Sequence, residues 1–396
     1  MRLRRIAAAS LLVCVIRTDA ARRPRYGGEL RIDTRATPQD PESLDPQIFS
    51  SAVFETLVKL DDHGDPQPWL AASWTHDKSR KRWVFTPRAN VVLQNGSPWS
   101  PGPIEFADDR PIGEILRDLA RPRNAIVIRG PDGSITGTGP FRIAMWEPGK
   151  SVTLAAQENY WGGRPFLDAI HVTMGRSLRE QAIDLEVDGA DVIESALRPR
   201  GLSYVSPPVA VLALEFDDRV APAARQAVAL SIDRAAIYNV LIQKNGEISG
   251  ALLPRWLTGY SFLFPAGRDL ARAKQLAANA TLNFSYDRND ALMRAIGERI
   301  AVNAAEAGVV LRPAARGEVQ LITLTVPARD VRTSLEDIAA MLKLPLSAGS
   351  PFEQERALLA DSRVVPLFHL PRIWAMNPRV HNWPKLADVW IETEKK

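Results

Sequence analysis

The sequence predicts an α/β protein in which a β-rich N-terminal half precedes a half of alternating helices and strands. In the first half, short apolar runs alternate with polar residues, and clusters of Pro, Gly and Asp separate them. In the second half, helical patterns at residues 222–243 and 291–307 are interleaved with strand patterns. Helices that alternate with strands in this way are typical of an α/β lobe.

Length and composition favour a soluble protein with a substantial core. The chain has 396 residues, of which 45% are hydrophobic and 24% charged, which is enough for roughly two or three globular units. The 30 prolines and 24 glycines are spread along the chain. This distribution favours many short elements joined by turns over a disordered or fibrous chain.

The charge distribution gives no reason to expect nucleic acid as a partner. The formal net charge is +4, and residues 1–20 supply +3 of it, because four arginines there face one aspartate. The remainder carries only +1, and its basic residues form no stripe interleaved with aromatic residues. A near-neutral chain of this kind lacks the electrostatic footprint of a nucleic-acid-binding protein.

Residues 1–20 have the pattern of a secretory signal peptide. A cationic start, "MRLRR", precedes the apolar run "IAAASLLVCVI" of 11 residues, and "TDA" resembles a cleavage site before Ala21. The run is too short to span a bilayer comfortably. We therefore expect a periplasmic or secreted protein after cleavage, and the alternative is a buried N-terminal helix.

The single cysteine, Cys14, lies inside this apolar run. Cleavage would leave a mature chain without cysteine, which excludes disulfides and thiol catalysis. The stretch "LLVC" also resembles a bacterial lipoprotein box, although Val13 is larger than the residue preferred before the acylated cysteine. Lipid anchoring through Cys14 is thus an alternative to a soluble secreted form.

The first half contains five recognisable elements. "GGELRID" predicts a half-buried strand, "SAVFETLVKL" at residues 51–60 a short amphipathic helix, and "RWVFT" a strand that ends at Pro87. "FRIAMW" and "SVTLAA" flank "EPGK" and predict a hairpin over residues 141–156.

After this hairpin, "QENYWGGRPFLD" at residues 157–168 joins aromatic residues to a double glycine. We expect Tyr160, Trp161 and Phe166 to pack against the lobe at a turn. Stacking of these rings on a ligand is the alternative.

The second half begins with a helical stretch in which Pro222 suits a first turn and Asp233 can cap a second helix from Arg234. "TLNFSY" then predicts a strand, residues 291–307 a helix that ends at Gly308, and "VVL" another strand. These three form a β-α-β unit, and "QLITLTV" adds a further strand.

Residues for catalysis or for a resident cofactor are scarce. The five histidines have no spacing suited to a metal site, and nucleophile elbows, phosphate loops and SxxK motifs do not occur. Paired aspartates such as Asp61–Asp62 are sequence neighbours, which point to opposite faces of a strand and cannot share a proton. We therefore expect a binding protein that is not an enzyme and has no cofactor or metal.

The order of the segments resembles that of the family 5 extracellular solute-binding proteins, the peptide and nickel receptors of bacterial ABC importers. Eight stretches carry the resemblance in the family's order from Gly27 to Trp383. They are "GGELRI", "PESLDPQ", "VFETLVKLDDHGDPQPWLAASW", "WVFTPRANVVLQNGSPWS", "GTGPFRIAMWEPGKSVTLAAQENYWGGRPFLDAIHV", "DGADVIE", "RQAVALSIDRAAI" and "VVPLFHLPRIWAMNPRVHNW".

This resemblance implies a two-lobe, type II periplasmic-binding-protein-like fold with mixed sheets. Lobe I would hold residues 21–207, lobe II residues 208–350, and residues 351–396 would return to lobe I. Only about 30 residues separate Phe106 from Gly137, where relatives have a long helical subdomain. The β-rich subdomain of lobe I, about residues 45–140, is therefore expected to be reduced.

The resemblance also implies a ligand site between the lobes. The residues expected to contact ligand are Phe49, Ser50, Ser51, Trp256, Arg372 and Trp374. Their aromatic rings would stack on the solute, and Arg372 would hold a carboxylate through two parallel hydrogen bonds. Peptide receptors carry an aspartate that pairs with the ammonium group of the peptide, and Asp330 is the only acid near that place.

The function that follows is capture of a peptide or similar small solute by a monomeric receptor, which delivers the solute to a membrane permease of an ABC importer. The alternative is a degenerate relative that no longer transports and acts as a structural or regulatory partner. An open cavity of several hundred cubic ångströms would favour the first possibility.

Overall fold

The computed structural model describes residues 23–61, 64–77, 82–131, 133–259, 264–326 and 330–392. The predicted signal peptide and Cys14 lie outside these residues, so both stay predictions. In the described part of the chain, no helix is long and apolar enough to cross a membrane.

Short strands and helices follow one another along the whole described chain. The strands are β1 (Glu29–Asp33), β2 (Val58–Leu60), β3 (Pro66–Pro68), β4 (Ala71–Asp77), β5 (Arg82–Pro87), β6 (Ile104–Phe106), β7 (Ile128–Arg129), β8 (Ile135–Thr136), β9 (Phe141–Glu147), β10 (Ser151–Ala156), β11 (Ala169–Thr173), β12 (Val192–Ser195), β13 (Ser203–Phe216), β14 (Glu247–Ile248), β15 (Thr281–Ser285), β16 (Val310–Pro313), β17 (Val319–Thr325), β18 (Val364–Met376), β19 (Val380–His381) and β20 (Trp390–Ile391). The α-helices are α1 (Ser51–Val53), α2 (Ile112–Leu119), α3 (Leu178–Glu186), α4 (Pro222–Ser231), α5 (Arg234–Val240), α6 (Arg255–Thr258), α7 (Leu270–Leu276), α8 (Ala291–Glu306), α9 (Val331–Met341) and α10 (Pro351–Leu359).

One mixed sheet extends through both lobes. Its strand order is β16-β15-β17-β13-β18-β12-β1-β11-β10-β9, and β14 pairs with β18. Strands β13 and β18, with 14 and 13 residues, form the centre of the sheet and join the lobes. Strands β9 and β10 are antiparallel neighbours, which confirms the hairpin predicted over residues 141–156.

The first lobe contains two hydrophobic cores. The larger core surrounds β1, β10 and β11 and includes Leu30, Leu154 and Val172. The smaller core includes Phe85 and Ile115 and lies between the three-stranded sheet β4-β5-β6 and α2. This smaller unit occupies the region for which the sequence predicts a reduced β-rich subdomain.

The second lobe also has two cores. One core packs α4, α5 and α8 with β15 and β16, and the other packs α9 and α10 with β13 and β17. Strands β15 and β16 are parallel and flank α8 in the chain, which confirms the predicted β-α-β unit. Asp233 accepts a hydrogen bond from the Ala236 N–H at 2.9 Å, so the predicted cap of α5 is also confirmed.

The helix predicted over residues 51–60 is wrong beyond its first turn. Only α1 is helical, and β2 then pairs with β3 in an antiparallel hairpin. The physical reason is that Phe54 belongs to the larger core of the first lobe, whereas Leu57 belongs to the smaller one. An extended chain reaches both cores, and a continuous helix would not.

The C-terminal segment serves both lobes, which differs from the predicted return of residues 351–396 to lobe I alone. Leu358 of α10 and Val364 at the start of β18 are buried with α9 in the second lobe. Trp374 at the end of β18 and Val389 are buried in the first lobe. The long strand β18 causes this division, because it pairs with β13 along most of its length and its last residues also pair with β12 of the first lobe.

Candidate functional site

A cavity of about 450 Å³ lies between the two lobes. Its wall lies at the carboxyl ends of β1 and β12 in the first lobe and of β15 in the second, where ligands of α/β folds commonly bind. Strand β18 closes one side of the cavity. The wall consists of Thr34, Arg35, Ala36, Pro38, Leu44, Asp45, Phe49, Val172, Met174, Glu194, Ser195, Ala196, Ala210, Ile242, Asn245, Asp287, Asp290, Leu292, Met293, Leu321, Thr323, Thr325, Leu370, Pro371, Arg372, Ile373 and Trp374.

Three of the residues predicted to contact ligand line this cavity together. They are Phe49, Arg372 and Trp374. The side chain of Trp374 is nearly buried and packs edge-on against Trp383, with ring centroids 5.1 Å apart. Phe49 is equally buried in the core of the first lobe. Both side chains therefore pack in the core behind the cavity and expose little ring surface to a solute.

The other three predicted contact residues lie outside the wall. Ser50 is buried in the π-helical turn before α1, and Ser51 begins that helix. The indole N–H of Trp256 donates to the Pro208 carbonyl at 2.6 Å, and this hydrogen bond links α6 to strand β13. Asp330, the acid considered for a peptide ammonium group, caps α9 through the Thr333 N–H at 2.9 Å.

Arg372 is already engaged by a carboxylate of the protein. Its guanidinium donates to Asp45, and its backbone N–H donates to the Ser206 hydroxyl at 2.9 Å. The carboxylate that pairs with Arg372 in this structure is therefore Asp45, whereas the prediction concerned a carboxylate of the solute. A solute carboxylate would have to displace Asp45 or share the guanidinium with it.

A second arginine of the wall, Arg35, connects the lobes and was not singled out by the sequence pattern. Its backbone N–H donates to Glu194 at 2.8 Å, and its guanidinium donates to Asp290 at 2.6 Å. Asp290 also caps α8, because it accepts from the Leu292 and Met293 N–H groups. The sequence signal that could have identified Arg35 is its position just after β1, because residues that directly follow a sheet strand border the cleft.

Comparison with known protein families assigns the chain to one of them. The model for the middle region of the bacterial extracellular solute-binding proteins of family 5 matches residues 104–313. The chain belongs to this family. The recognition made from the eight sequence stretches is thereby confirmed.

Curated relatives are about a quarter identical to this family 5 protein over the residues that align. The nickel-binding periplasmic protein of Escherichia coli is 23% identical over 317 residues, which cover 62% of this chain and 60% of the relative. The probable D,D-dipeptide-binding periplasmic protein DdpA of E. coli is 23% identical over 328 residues, covering 63% and 64%. The match thus spans less than two thirds of each relative's length.

Solved structures confirm the two-lobe, type II fold. The ABC transporter-associated periplasmic binding protein DppA of Helicobacter pylori, in complex with peptide STSA, superposes with a TM-score of 0.76 at 15% identity and covers 93% of this chain and 99% of its own. NikA of Staphylococcus aureus, in complex with Ni(L-His)2, gives 0.75 at 15% identity, covering 92% and 100%. At such low identity the likeness concerns the fold alone.

The aromatic stretch of the family 5 protein packs inside the first lobe. Buried Glu55 accepts hydrogen bonds from Trp69 at 2.8 Å, Tyr160 at 2.7 Å and Trp161 at 3.1 Å. Burial raises the pKa of Glu55, and these donors oppose the rise by stabilising its ionised form. The expectation that Tyr160 and Trp161 pack against the lobe is confirmed.

Two further buried titratable residues lie in the second lobe, away from the cavity wall. Glu355 accepts from the Leu252 and Leu253 N–H groups at 2.6 and 3.0 Å, and burial raises its pKa to about 7. His369 contacts the Ala251 carbonyl at 2.9 Å through Nε2, and burial lowers its pKa to about 4. Neither residue belongs to the cavity wall, and the described residues contain no cluster of three His, Cys, Asp or Glu that could hold a metal.

Proposed function

We propose that this protein is the extracytoplasmic receptor of an ABC importer, which captures a peptide or similar small solute between its lobes. The observation that carries the proposal is the cavity of about 450 Å³ whose wall draws on both lobes and on β18. A ligand in this position stabilises closure, because it contacts both lobes only when they are together. The closed form would then dock on a membrane permease.

The cavity volume favours this receptor over a degenerate relative without a ligand. Small-molecule sites typically occupy about 300–1,000 Å³, and the cavity falls within that range. A relative that had lost its solute would be expected to fill the cleft with its own side chains. The similar structures in complex with a peptide and with Ni(L-His)2 indicate the ligand classes to test first.

The receptor role requires binding without a reaction. His369, the buried histidine of the second lobe, lies outside the cavity wall, and both wall arginines are paired with carboxylates. We therefore assign no catalytic residue. The signal segment at residues 1–20 would deliver the protein across the membrane, in keeping with an extracytoplasmic family.

A thermal-shift screen tests the proposal. Dipeptides, tripeptides, oligopeptides, nickel–histidine and sugars are added separately, and a ligand at 100 times its Kd should stabilise the native protein by about 2.7 kcal/mol. At this chain length that is a rise of a few degrees in Tm. Absence of a shift with every class would contradict the receptor function.

A cavity-filling variant supplies the control for this screen. Ala196 lies in the wall, on the bend after β12, so Ala196→Trp should occupy the space that a ligand needs. The variant should keep a cooperative melt and lose the ligand-induced shift. An equal shift in the variant would place the binding site elsewhere.

A further inference from the structure

The cavity wall carries more negative than positive side chains. Its charged members are two arginines and four carboxylates, a formal balance of −2. They are Arg35, Asp45, Glu194, Asp287, Asp290 and Arg372. The remaining wall is uncharged, with apolar side chains, hydroxyl groups and the amide of Asn245, so no further cation of the wall offsets this excess.

Both arginines of the wall are occupied by carboxylates of the protein. Arg372 pairs with Asp45, and Arg35 pairs with Glu194 and Asp290. A guanidinium that already holds a carboxylate offers little to a solute anion, because the anion must also approach the nearby negative groups. The charges of the wall therefore disfavour binding of an anionic solute.

Asp287 is the carboxylate that remains available. It lies just after β15, and one of its oxygens accepts the Asn289 N–H at 2.9 Å. Among the described residues, no arginine, lysine or histidine lies within ion-pair distance of Asp287, in contrast to the other three wall carboxylates. Its side chain is exposed and belongs to the wall.

We propose that the cavity selects a small organic cation, such as an amine-bearing solute, and that Asp287 is the residue that determines this selectivity. The inference rests on the proposed receptor function and narrows its ligand class. The cation would pair with Asp287 while the threonine hydroxyls and apolar side chains contact the rest of the solute. A solute carboxylate is neither required nor favoured.

Three forms of one tripeptide test the sign of the selectivity. Trialanine amide carries a free amine, acetyl-trialanine amide is uncharged, and acetyl-trialanine is an anion. Calorimetric titration at low salt should show the amine form binding best and the anion worst. Equal or tighter binding of the anion would overturn the inference, with the receptor function intact.

Binding of none of the three forms would also overturn the inference. The broader thermal-shift screen then decides separately whether the receptor function stands, because it includes ligands of other classes. The two failures are thus distinguishable.

Substitution of Asp287 tests the assigned residue. Asp287→Asn should weaken the amine form roughly 10- to 100-fold, the usual effect of losing one charge-assisted hydrogen bond, and leave acetyl-trialanine amide unchanged. Asp361→Asn removes the same charge from an exposed turn after α10 and should change neither affinity. Unaltered binding of the amine form by Asp287→Asn would contradict the role given to Asp287.

Discussion

Glu355 shows how one buried carboxyl group can set the pH response of a lobe. Its Oε1 accepts two backbone N–H groups, whereas its buried Oε2 has no hydrogen-bond partner among the described residues. Burial raises its pKa from 4.5 to about 7. The folded state therefore prefers the protonated acid, which needs less solvation than the carboxylate.

We predict that this group costs stability as the pH rises. The folded-state pKa lies above the unfolded value, so the contribution of Glu355 is complete below about pH 4.5 and is lost on passing through pH 7. Glu355→Gln keeps an acceptor for both N–H groups and cannot ionise. As the pH rises from 5 to 8, the free energy of unfolding measured in urea should change in favour of the variant by roughly 2–3 kcal/mol relative to wild type.

The comparison with wild type matters because His369 has the opposite pH dependence. Its lowered pKa means that stability is lost as the pH falls below its ordinary range, toward about 4. This contribution is common to both proteins and cancels in the difference. Glu298→Gln on the exposed face of α8 is the control, and identical pH profiles for wild type and Glu355→Gln would refute the prediction.

At the scale of elements, α8 is positioned by a glycine. A Cβ on Gly297 would lie 2.7 Å from the ring of Tyr286, which follows β15 and packs against Phe284. The helix thereby approaches the end of β15 closely. This approach matters for the site, because the first turn of α8 supplies Leu292 and Met293 to the cavity wall.

We predict that Gly297→Ala destabilises the protein although alanine favours helices. The helix-propensity gain is about 1 kcal/mol, whereas overpacking against a ring costs typically 1–3 kcal/mol. Gly113→Ala in α2 is the matched control, because its nearest atom is the flexible end of Arg117 at 3.4 Å. Denaturant unfolding should show a gain for Gly113→Ala and a loss for Gly297→Ala, and equal gains would contradict the close approach.

The same element illustrates what the sequence could predict. The four-residue spacing of apolar residues predicted α8 and the β-α-β unit around it, since local periodicity determines which face is buried. It could not predict that α1 would stop after one turn, because Phe54 and Leu57 belong to different cores. Which core each of these side chains enters depends on the tertiary structure, and local periodicity carries no information about it.

The candidate site was predictable only in part for a related reason. The sequence placed Phe49, Arg372 and Trp374 near the cleft, and all three line the cavity. Partners distant in sequence remained hidden: Asp45 lies 327 positions from Arg372, and Pro208 lies 48 positions from Trp256. Neither pairing leaves a local pattern, so the sequence could not distinguish a ligand contact from an internal one.

At the scale of the whole molecule, ion pairs connect the two lobes across the cleft. Arg35 of the first lobe reaches Asp290 of the second at 2.6 Å. At a second position, nearly buried Arg121 donates to the Thr333 carbonyl at 3.3 Å and to Glu336 at 3.2 Å on α9. These contacts form only while the two lobes lie together, so they favour the closed arrangement over an open one.

We predict that Asp290→Asn opens the cleft while leaving α8 capped. Asparagine is an equally good N-cap, so the variant removes the charge opposite Arg35 and retains the helix start. Because the Arg35 side chain is 48% exposed, the pair is worth at most about 1 kcal/mol, which shifts the open–closed equilibrium up to about fivefold. Small-angle scattering of ligand-free protein should show a larger radius of gyration than wild type. Asp330→Asn changes the corresponding cap of α9 and should leave the radius of gyration unchanged.

If Asp290→Asn scatters like wild type, the Arg35–Asp290 pair does not hold the lobes closed, and closure must come from the solute.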